Sequence, residues 1–224
     1  MTPAKRTFDL TVSILLLALL WPVLAALILL LLVKEGRPVF YVAERMRTPE
    51  QSFGLIKLRT MRPAPYGTRA TGVTGGDKSD RMSGLHRMLR RTRADELPQL
   101  WNVIRGDISL VGPRPPLRIY VEAFPDLYAA VLRSRPGITG LASLRYHATE
   151  ERLLAHCRSA EETDAVYRRR CVPRKARLDL IYQRHATVCH DVSLIAETAG
   201  RVLRLAPRRF PRKARPRRVP ATVD

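Results

Sequence analysis

The sequence predicts a mostly α-helical protein with a small β component. An N-terminal membrane segment precedes a small α/β domain that carries amphipathic helices at a membrane surface. Three observations predict this. Residues 12–33, VSILLLALLWPVLAALILLLLV, contain no charged side chain. Short β-favouring runs, VFYV at 39–42 and FGLIKL at 53–58, are bounded by turn residues. From residue 149 onward, apolar positions recur at helical spacing beside arginines and lysines.

The apolar run is long enough to reach across a hydrocarbon core of about 30 Å as a helix. It is too long for the apolar region of a cleaved leader, and no small-x-small site follows it. It therefore reads as a retained anchor over residues 1–36. Pro22, preceded by Trp21, lies near its middle and removes a helical N–H. Lys5 and Arg6 precede the run, and Lys34, Arg37, Arg45 and Arg47 follow it. Basic residues on both flanks do not choose an orientation. Two readings stand: a helix broken at Trp21–Pro22 that dips into the bilayer and returns, and a kinked helix that spans it. The re-entrant form is the expectation.

The 224 residues suit one such segment plus one modest domain, here residues 37–205. A formal charge of +20 calls for anionic partners: nucleic acid, lipid headgroups or phosphorylated substrates. Nucleic acid is disfavoured, because single-strand binding needs aromatic platforms among the basic residues, and aromatics are 6% of the chain. Cys157, Cys171 and Cys189 have no paired spacing and read as free thiols in a reducing cytosol.

After a Gly-Arg-Pro turn, VFYVAERM reads as a strand, and FGLIKLRTM as a second strand presenting Lys57 and Arg59 together. Residues 63–76 hold two prolines and four glycines and read as a mobile loop. Residues 82–91 are basic and helical. ISLVGPRPP at 108–116 reads as a short strand ended by a turn holding Arg114, and RPGITG at 135–140 as another turn. Residues 175–205 form a helical stretch whose stripe (Leu178, Ile181, Tyr182, Val192, Ile195, Ala199, Val202) faces either the core or the membrane surface. The proline- and arginine-rich residues 206–224 read as a disordered tail drawn to anionic lipid.

The chemistry concentrates at TRADELPQLWNVIRGD, residues 92–107. Leu97, Leu100, Trp101 and Ile104 give one apolar helical face, closed by Gly106. Pro98 fits only a first helical turn, so the helix should begin near Asp95. Asp95 and Glu96 then lie at its positive end. A helix cap plus an ion pair would account for two acids there. The surrounding arginines outnumber them, however, and arginines bind phosphate through forked hydrogen bonds. Carboxylates among them suit a divalent cation bridged to a diphosphate, and an aspartate can also accept a phosphoryl group. From the residues alone, this is a membrane-anchored protein that handles phosphates.

The motifs together resemble the bacterial sugar transferase family, the small monotopic phosphoglycosyl transferases. KRTFDL, VFYVAERM, KLRTM, LRRTRADELPQLWNVIRGDISLVGPRP and RPGITG occur in the family's order, over roughly residues 5–200. The resemblance implies transfer of a sugar-1-phosphate from a UDP-sugar to polyprenyl (undecaprenyl) phosphate, at the cytosolic face of the bacterial inner membrane, with UMP released. It implies Asp95 as nucleophile through an aspartyl-phosphosugar intermediate and Glu96 as its helper. Mg2+, or Mn2+ in its place, would be held by Asp95 and Glu96. Lys57, Arg59, Arg90 and Arg114 match phosphate-binding positions, and Arg145 and His147 stand where the family contacts phosphate or sugar. A homodimer is compatible with it. The chain departs from the pattern in having Trp21 rather than serine before Pro22, LASLRYHAT after RPGITG, and His86 in place of a glycine. The competing class is a membrane-tethered binder of phosphate, anionic lipid or nucleic acid without catalysis.

Overall fold

The computed structural model describes residues 1–62 and 81–203. The expected loop at 63–76 and the tail at 206–224 lie outside them. The described chain is mostly helical with a small sheet component, as expected.

Helix α1 (Pro3–Glu35) is capped by Thr2, whose hydroxyl accepts from the Lys5 amide, and ends at Gly36. The expected break at Trp21–Pro22 is corrected: Pro22 lies inside one continuous helix. Proline removes one donor, but the leucine-rich turns on either side keep their own bonds, so the helix resumes. One face, from Phe8, Val12, Leu16 and Leu17 to Leu24, Leu27, Ile28 and Leu31, packs on the domain. The other face is bare, with Leu19 at 72%, Trp21 at 62% and Val33 at 71% exposure. α1 is long and apolar enough to cross a membrane.

Both ends of α1 are tied to the same domain. Near its start, Asp9 is fully buried, accepts from Ser109 Oγ at 2.6 Å and pairs with Lys5 at 2.8 Å. Lys5 also pairs with Asp191 at 2.6 Å. Arg6 donates to the carbonyls of Val103 and Ile104. At its end, Arg59 donates to the carbonyls of Glu35, Gly36 and Arg37.

Strands β1 (Phe40–Met46) and β2 (Ser52–Leu58) form an antiparallel ribbon with Tyr41 opposite Lys57 and Arg45 opposite Phe53. Helix α2 (Gly84–Thr92) follows. His86 explains itself here: it closes a capping box with Ser83, each amide donating to the other's side chain. A 3-10 turn (Ala94–Glu96) leads into α3 (Gln99–Arg105), which Gly106 ends in the left-handed conformation at φ 88°. Buried Asn102 on α3 accepts from the Ile56 amide and donates to the carbonyl of Gly54 and to Asp107. One side chain thus fixes β2 to α3.

Strand β3 (Ser109–Val111) is followed by α4 (Arg118–Ala123) and α5 (Pro125–Val131). RPGITG is a strand rather than only a turn: β4 (Gly137–Thr139) pairs in parallel with β3. A Cβ at Gly112, Gly137 or Gly140 would collide with the facing backbone. These glycines are required by close approach of the chains, not by positive φ. Helix α6 (Leu141–Ala155) begins eight residues earlier than residue 149, so LASLRYHAT is helical. Then come α7 (Ala160–Val166), a π-helical turn (Tyr167–Cys171), α8 (Val172–Arg184) and α9 (Val188–Leu203). The stretch expected as one helix is two, parted by a bend at residues 185–187. Of its stripe, Tyr182 is core, while Ile181 and Val192 are exposed. The three cysteines are free thiols.

Replacing Gly137 with alanine forces two backbones apart, so the expected loss is more than about 2 kcal/mol of stability. A urea unfolding midpoint within error of the parent protein would contradict the close approach.

Candidate active site

The local sequence turns the dyad inward by an unusual device. Arg93, the last residue of the α2 cap, sits at φ 54°. Among the described residues it is the only non-glycine with positive φ. That bend starts the 3-10 turn and brings Asp95 and Glu96 to 8% exposure each. The carboxylates therefore precede α3 rather than cap it, since Pro98 occupies the cap position without a side-chain bond.

The two acids have opposite surroundings. Glu96 pairs with Arg114 at 2.8 Å and with Arg93 at 3.3 Å. Burial works to raise its pKa, but Arg114 and Arg93 outweigh it and bring the carboxyl down to about 2. Asp95 makes no ion pair within 4 Å among the described residues. Burial, and then the neighbouring Glu96, push its carboxyl up to about 6, against the pull of Arg90, Lys57 and Arg114. The two adjacent carboxyls are thus pushed in opposite directions: Glu96 is held as an anion by two arginines, and Asp95 is left outside any ion pair among the described residues.

The cations come from separate elements. Lys57 reaches Asp95 from β2, held there by Asn102. Its ammonium lies over the Tyr41 ring at 5.5 Å. Burial, then Arg114 and Arg45, lower it to about 8. Arg90 comes from the last turn of α2. Arg114 comes from the loop after β3, and Glu96 raises its pKa. His147 on α6 lies 3.6 Å from Glu151 and neighbours Arg93 and Arg114, at the rim.

Two expected residues are not brought to the dyad. Arg59 spends its guanidinium on the carbonyls that end α1, because it lies just past the last paired residue of β2 and turns toward that helix. Arg145 pairs with Glu197 of α9 at 2.7 Å, on the far side of α6 from His147. Sequence reading missed Arg45, which neighbours Arg114 and Lys57. A period of two along β1 and β2, counted from Lys57 and its partner Tyr41, places it on the same face. Asp9 was also missed, as the lone acid among the basic residues before the apolar run.

No group of three or more His, Cys, Asp or Glu side chains able to hold a metal occurs among the described residues. Mg2+ needs only one or two carboxylates when phosphates supply the rest. The dyad fits that mode: Asp95 has oxygens to spare, while Arg93 and Arg114 already engage those of Glu96.

A buried carboxylate pair ringed by cations, on a domain fixed along an apolar helix, defines a membrane-associated phosphate-handling protein. The chain belongs to the bacterial sugar transferase family, whose model matches residues 1–205. It is 40% identical over 144 residues to the UDP-glucose:undecaprenyl-phosphate glucose-1-phosphate transferase of Caulobacter vibrioides, covering 63% of this chain and 53% of that one. To the exopolysaccharide production protein ExoY of Rhizobium meliloti it is 37% identical over 153 residues, 62% of this chain and 67% of that one. To the UDP-N-acetylgalactosamine-undecaprenyl-phosphate N-acetylgalactosaminephosphotransferase of Aeromonas hydrophila it is 31% identical over 145 residues, 62% and 33% of the two chains. The chain thus spans about half the length of the Caulobacter protein.

Two predictions follow from the divergent carboxyls. An ionised Asp95 and a protonated-cationic Lys57 are needed together, so kcat/KM should be bell-shaped, falling below about pH 6 and above about pH 8. Lys57→Arg should move only the alkaline limb upward; a flat profile would exclude both assignments.

The second concerns stability. Asp95 folds with a pKa above its usual 3.8, so stability rises as pH falls from about 6 toward 3.8. Glu96 runs the other way, with stabilisation present above 4.5 and lost as pH falls toward 2. At pH 7.5 without divalent cations, Asp95→Asn should raise the melting temperature, the stabilisation being up to about 3 kcal/mol at about 1.4 kcal/mol per pKa unit. Glu96→Gln should lower it. Equal shifts in both variants would contradict the asymmetry.

Proposed function

We propose that this protein is a phosphoglycosyl transferase that moves a sugar-1-phosphate from a UDP-sugar to polyprenyl (undecaprenyl) phosphate and releases UMP. The observation that carries this reading is the uncommitted Asp95 carboxyl beside the arginine-bound Glu96. The named relatives, which use undecaprenyl phosphate, support it.

A carboxylate oxygen of Asp95 attacks the β-phosphorus in line. The bond from that phosphorus to the bridging oxygen breaks, and UMP leaves with the electron pair. The sugar phosphate is then held on Asp95 as an acyl phosphate. A phosphate oxygen of the polyprenyl acceptor attacks the same phosphorus, and the Asp95 carboxylate is restored. Lys57, Arg90 and Arg114 hold the phosphoryl oxygens as charge shifts across them. Glu96 fixes Arg114 and Arg93 in place. Mg2+ (or Mn2+), held by Asp95 and Glu96, would neutralise diphosphate charge when bound. His147 at the rim is placed to meet the sugar or its phosphate.

The polyprenyl acceptor suits the anchor. Because Arg6, Asp9 and Arg59 tie both ends of α1 to one domain, we place both flanks on the cytosolic side of the inner membrane, with the bare apolar face in the bilayer. A crossing helix would hold its ends about 30 Å apart on opposite sides. Anionic lipids would meet the basic flanks.

With a panel of UDP-sugars, polyprenyl phosphate and Mg2+, the protein should release UMP. Asp95→Asn should lose at least about a thousandfold, as expected of a deleted nucleophile. Incubation with the UDP-sugar alone should leave a phosphosugar adduct on Asp95, seen by intact-mass and peptide analysis. Equal UMP release by Asp95→Asn would remove the nucleophile assignment.

Topology is tested separately. Thr2→Cys and Lys34→Cys, in a Cys189→Ser background, should both resist a thiol reagent added outside spheroplasts. Labelling of one flank alone would establish a crossing helix.

A further inference from the structure

Arg45, within the VFYVAERM motif, is the side chain of this site to which the chemistry above gives no role. It lies on β1, paired across the ribbon with Phe53. Tyr41, Ala43 and Arg45 share a face with Lys57, Leu55 and Phe53, since partners across a ribbon and alternate residues along it point the same way. That face meets the 3-10 turn through Lys57, which neighbours Asp95. Four residues of strand separate Arg45 from Tyr41, about 13 Å at 3.3 Å per residue. Between them Ala43 presents only a methyl group, which leaves room for long side chains to converge above it.

The guanidinium of Arg45 is half-buried and unspent. Among the described residues it donates no hydrogen bond and reaches no carboxylate within 4 Å, and its Nε is buried without a partner. Its nearest charged neighbour is another cation, Arg114, and its other neighbours are Tyr167, Tyr41 and Tyr120. A buried donor left without an acceptor is destabilising, the more so when it is charged. Arg45, Lys57, Arg93 and Arg114 converge around Asp95 and Glu96, with Glu150 also near Arg114 and itself paired with Lys175. Such an excess, with an unmatched guanidinium at its edge, is complementary to a bound anion.

The order of the groups says which anion. Lys57 and Arg114 both neighbour Asp95, and both neighbour Arg45. In an in-line displacement, the phosphorus under attack lies against the nucleophile and the leaving group lies beyond it. Lys57, which neighbours Asp95, suits the attacked β-phosphoryl group, and Arg45, four positions along the same ribbon face from Lys57's partner Tyr41, suits the leaving α-phosphate. We infer that Arg45 is a catalytic residue of the first half-reaction, binding the α-phosphate of the nucleotide and holding the departing nucleoside monophosphate.

This inference rests on the transferase reading, and binding of the product separates the two. UMP binding to the full-length protein in detergent, without Mg2+, is measured by calorimetry for the parent, Arg45→Met and Arg45→Lys. Thermal unfolding of each variant serves as the check on folding. The parent should bind UMP, Arg45→Met should weaken it at least about tenfold, and Arg45→Lys should lie between. Uridine, which lacks the phosphate, should bind the parent and Arg45→Met alike. In rapid quench, Arg45→Met should slow UMP release from a UDP-sugar. If the parent binds UMP and Arg45→Met binds it equally, Arg45 has no such role although the transferase reading stands. If the parent fails to bind UMP at millimolar concentration, the reading and the inference fall together. Should Arg45→Met not fold, Arg45→Lys decides: unchanged UMP affinity overturns the inference.

Discussion

The ion pair between Arg114 and Glu96, 2.8 Å long, is the constraint on which the site depends. It joins the loop that follows β3 to the turn that precedes α3. Removing Arg114 leaves the buried Glu96 with Arg93 alone, at 3.3 Å, to match its charge. The pair also divides labour between two adjacent acids. Because Glu96 takes the guanidinium, Asp95 keeps a carboxyl that burial holds near neutral pH. Without Arg114, both acids would share the remaining cations, Arg90, Arg93 and Lys57.

The remaining elements supply positions around that pair. Asn102 is fully buried and reaches two backbone groups of β2 and one carboxylate. It therefore sets where Lys57 stands relative to Asp95. Arg6 satisfies the carbonyls of Val103 and Ile104 at the end of α3, as a cation at a helix C-terminus should. The same arginine belongs to α1. The apolar helix and the turn that holds the dyad are thus two ends of one short path through α3, and what fixes the domain along α1 also fixes Asp95 and Glu96.

Legibility in the sequence followed the range of the interactions. The apolar run, the two ribbon strands and the dyad ahead of Pro98 were readable because their causes are local: composition, alternation and proline chemistry. The close pairing of β3 and β4 was not, because RPGITG carries turn residues and its strand character comes from a partner 28 residues away. Asp9 looked like a stray charge because its partners, Ser109 and Asp191-bound Lys5, come from distant elements. Arg59 and Arg45 exchanged expectations. Both are arginines in ribbon motifs, but the chain turns past Leu58, which sends Arg59 to the end of α1 and leaves Arg45 beside Arg114. The helix at residues 141–155 was hidden by its own polarity, since its buried residues are few and widely spaced.

The three glycines at 112, 137 and 140 leave no volume for any side chain between the two parallel strands. Here the polypeptide itself, not its substituents, forms the wall behind Arg114. That wall cannot be reshaped by changing residue types, because every alternative to glycine adds matter where none fits. Chemical diversification has to happen elsewhere. Helix α6 begins just after the last of these glycines and carries His147 on its exposed surface, so residue types can vary there while the backbone beside Arg114 stays fixed.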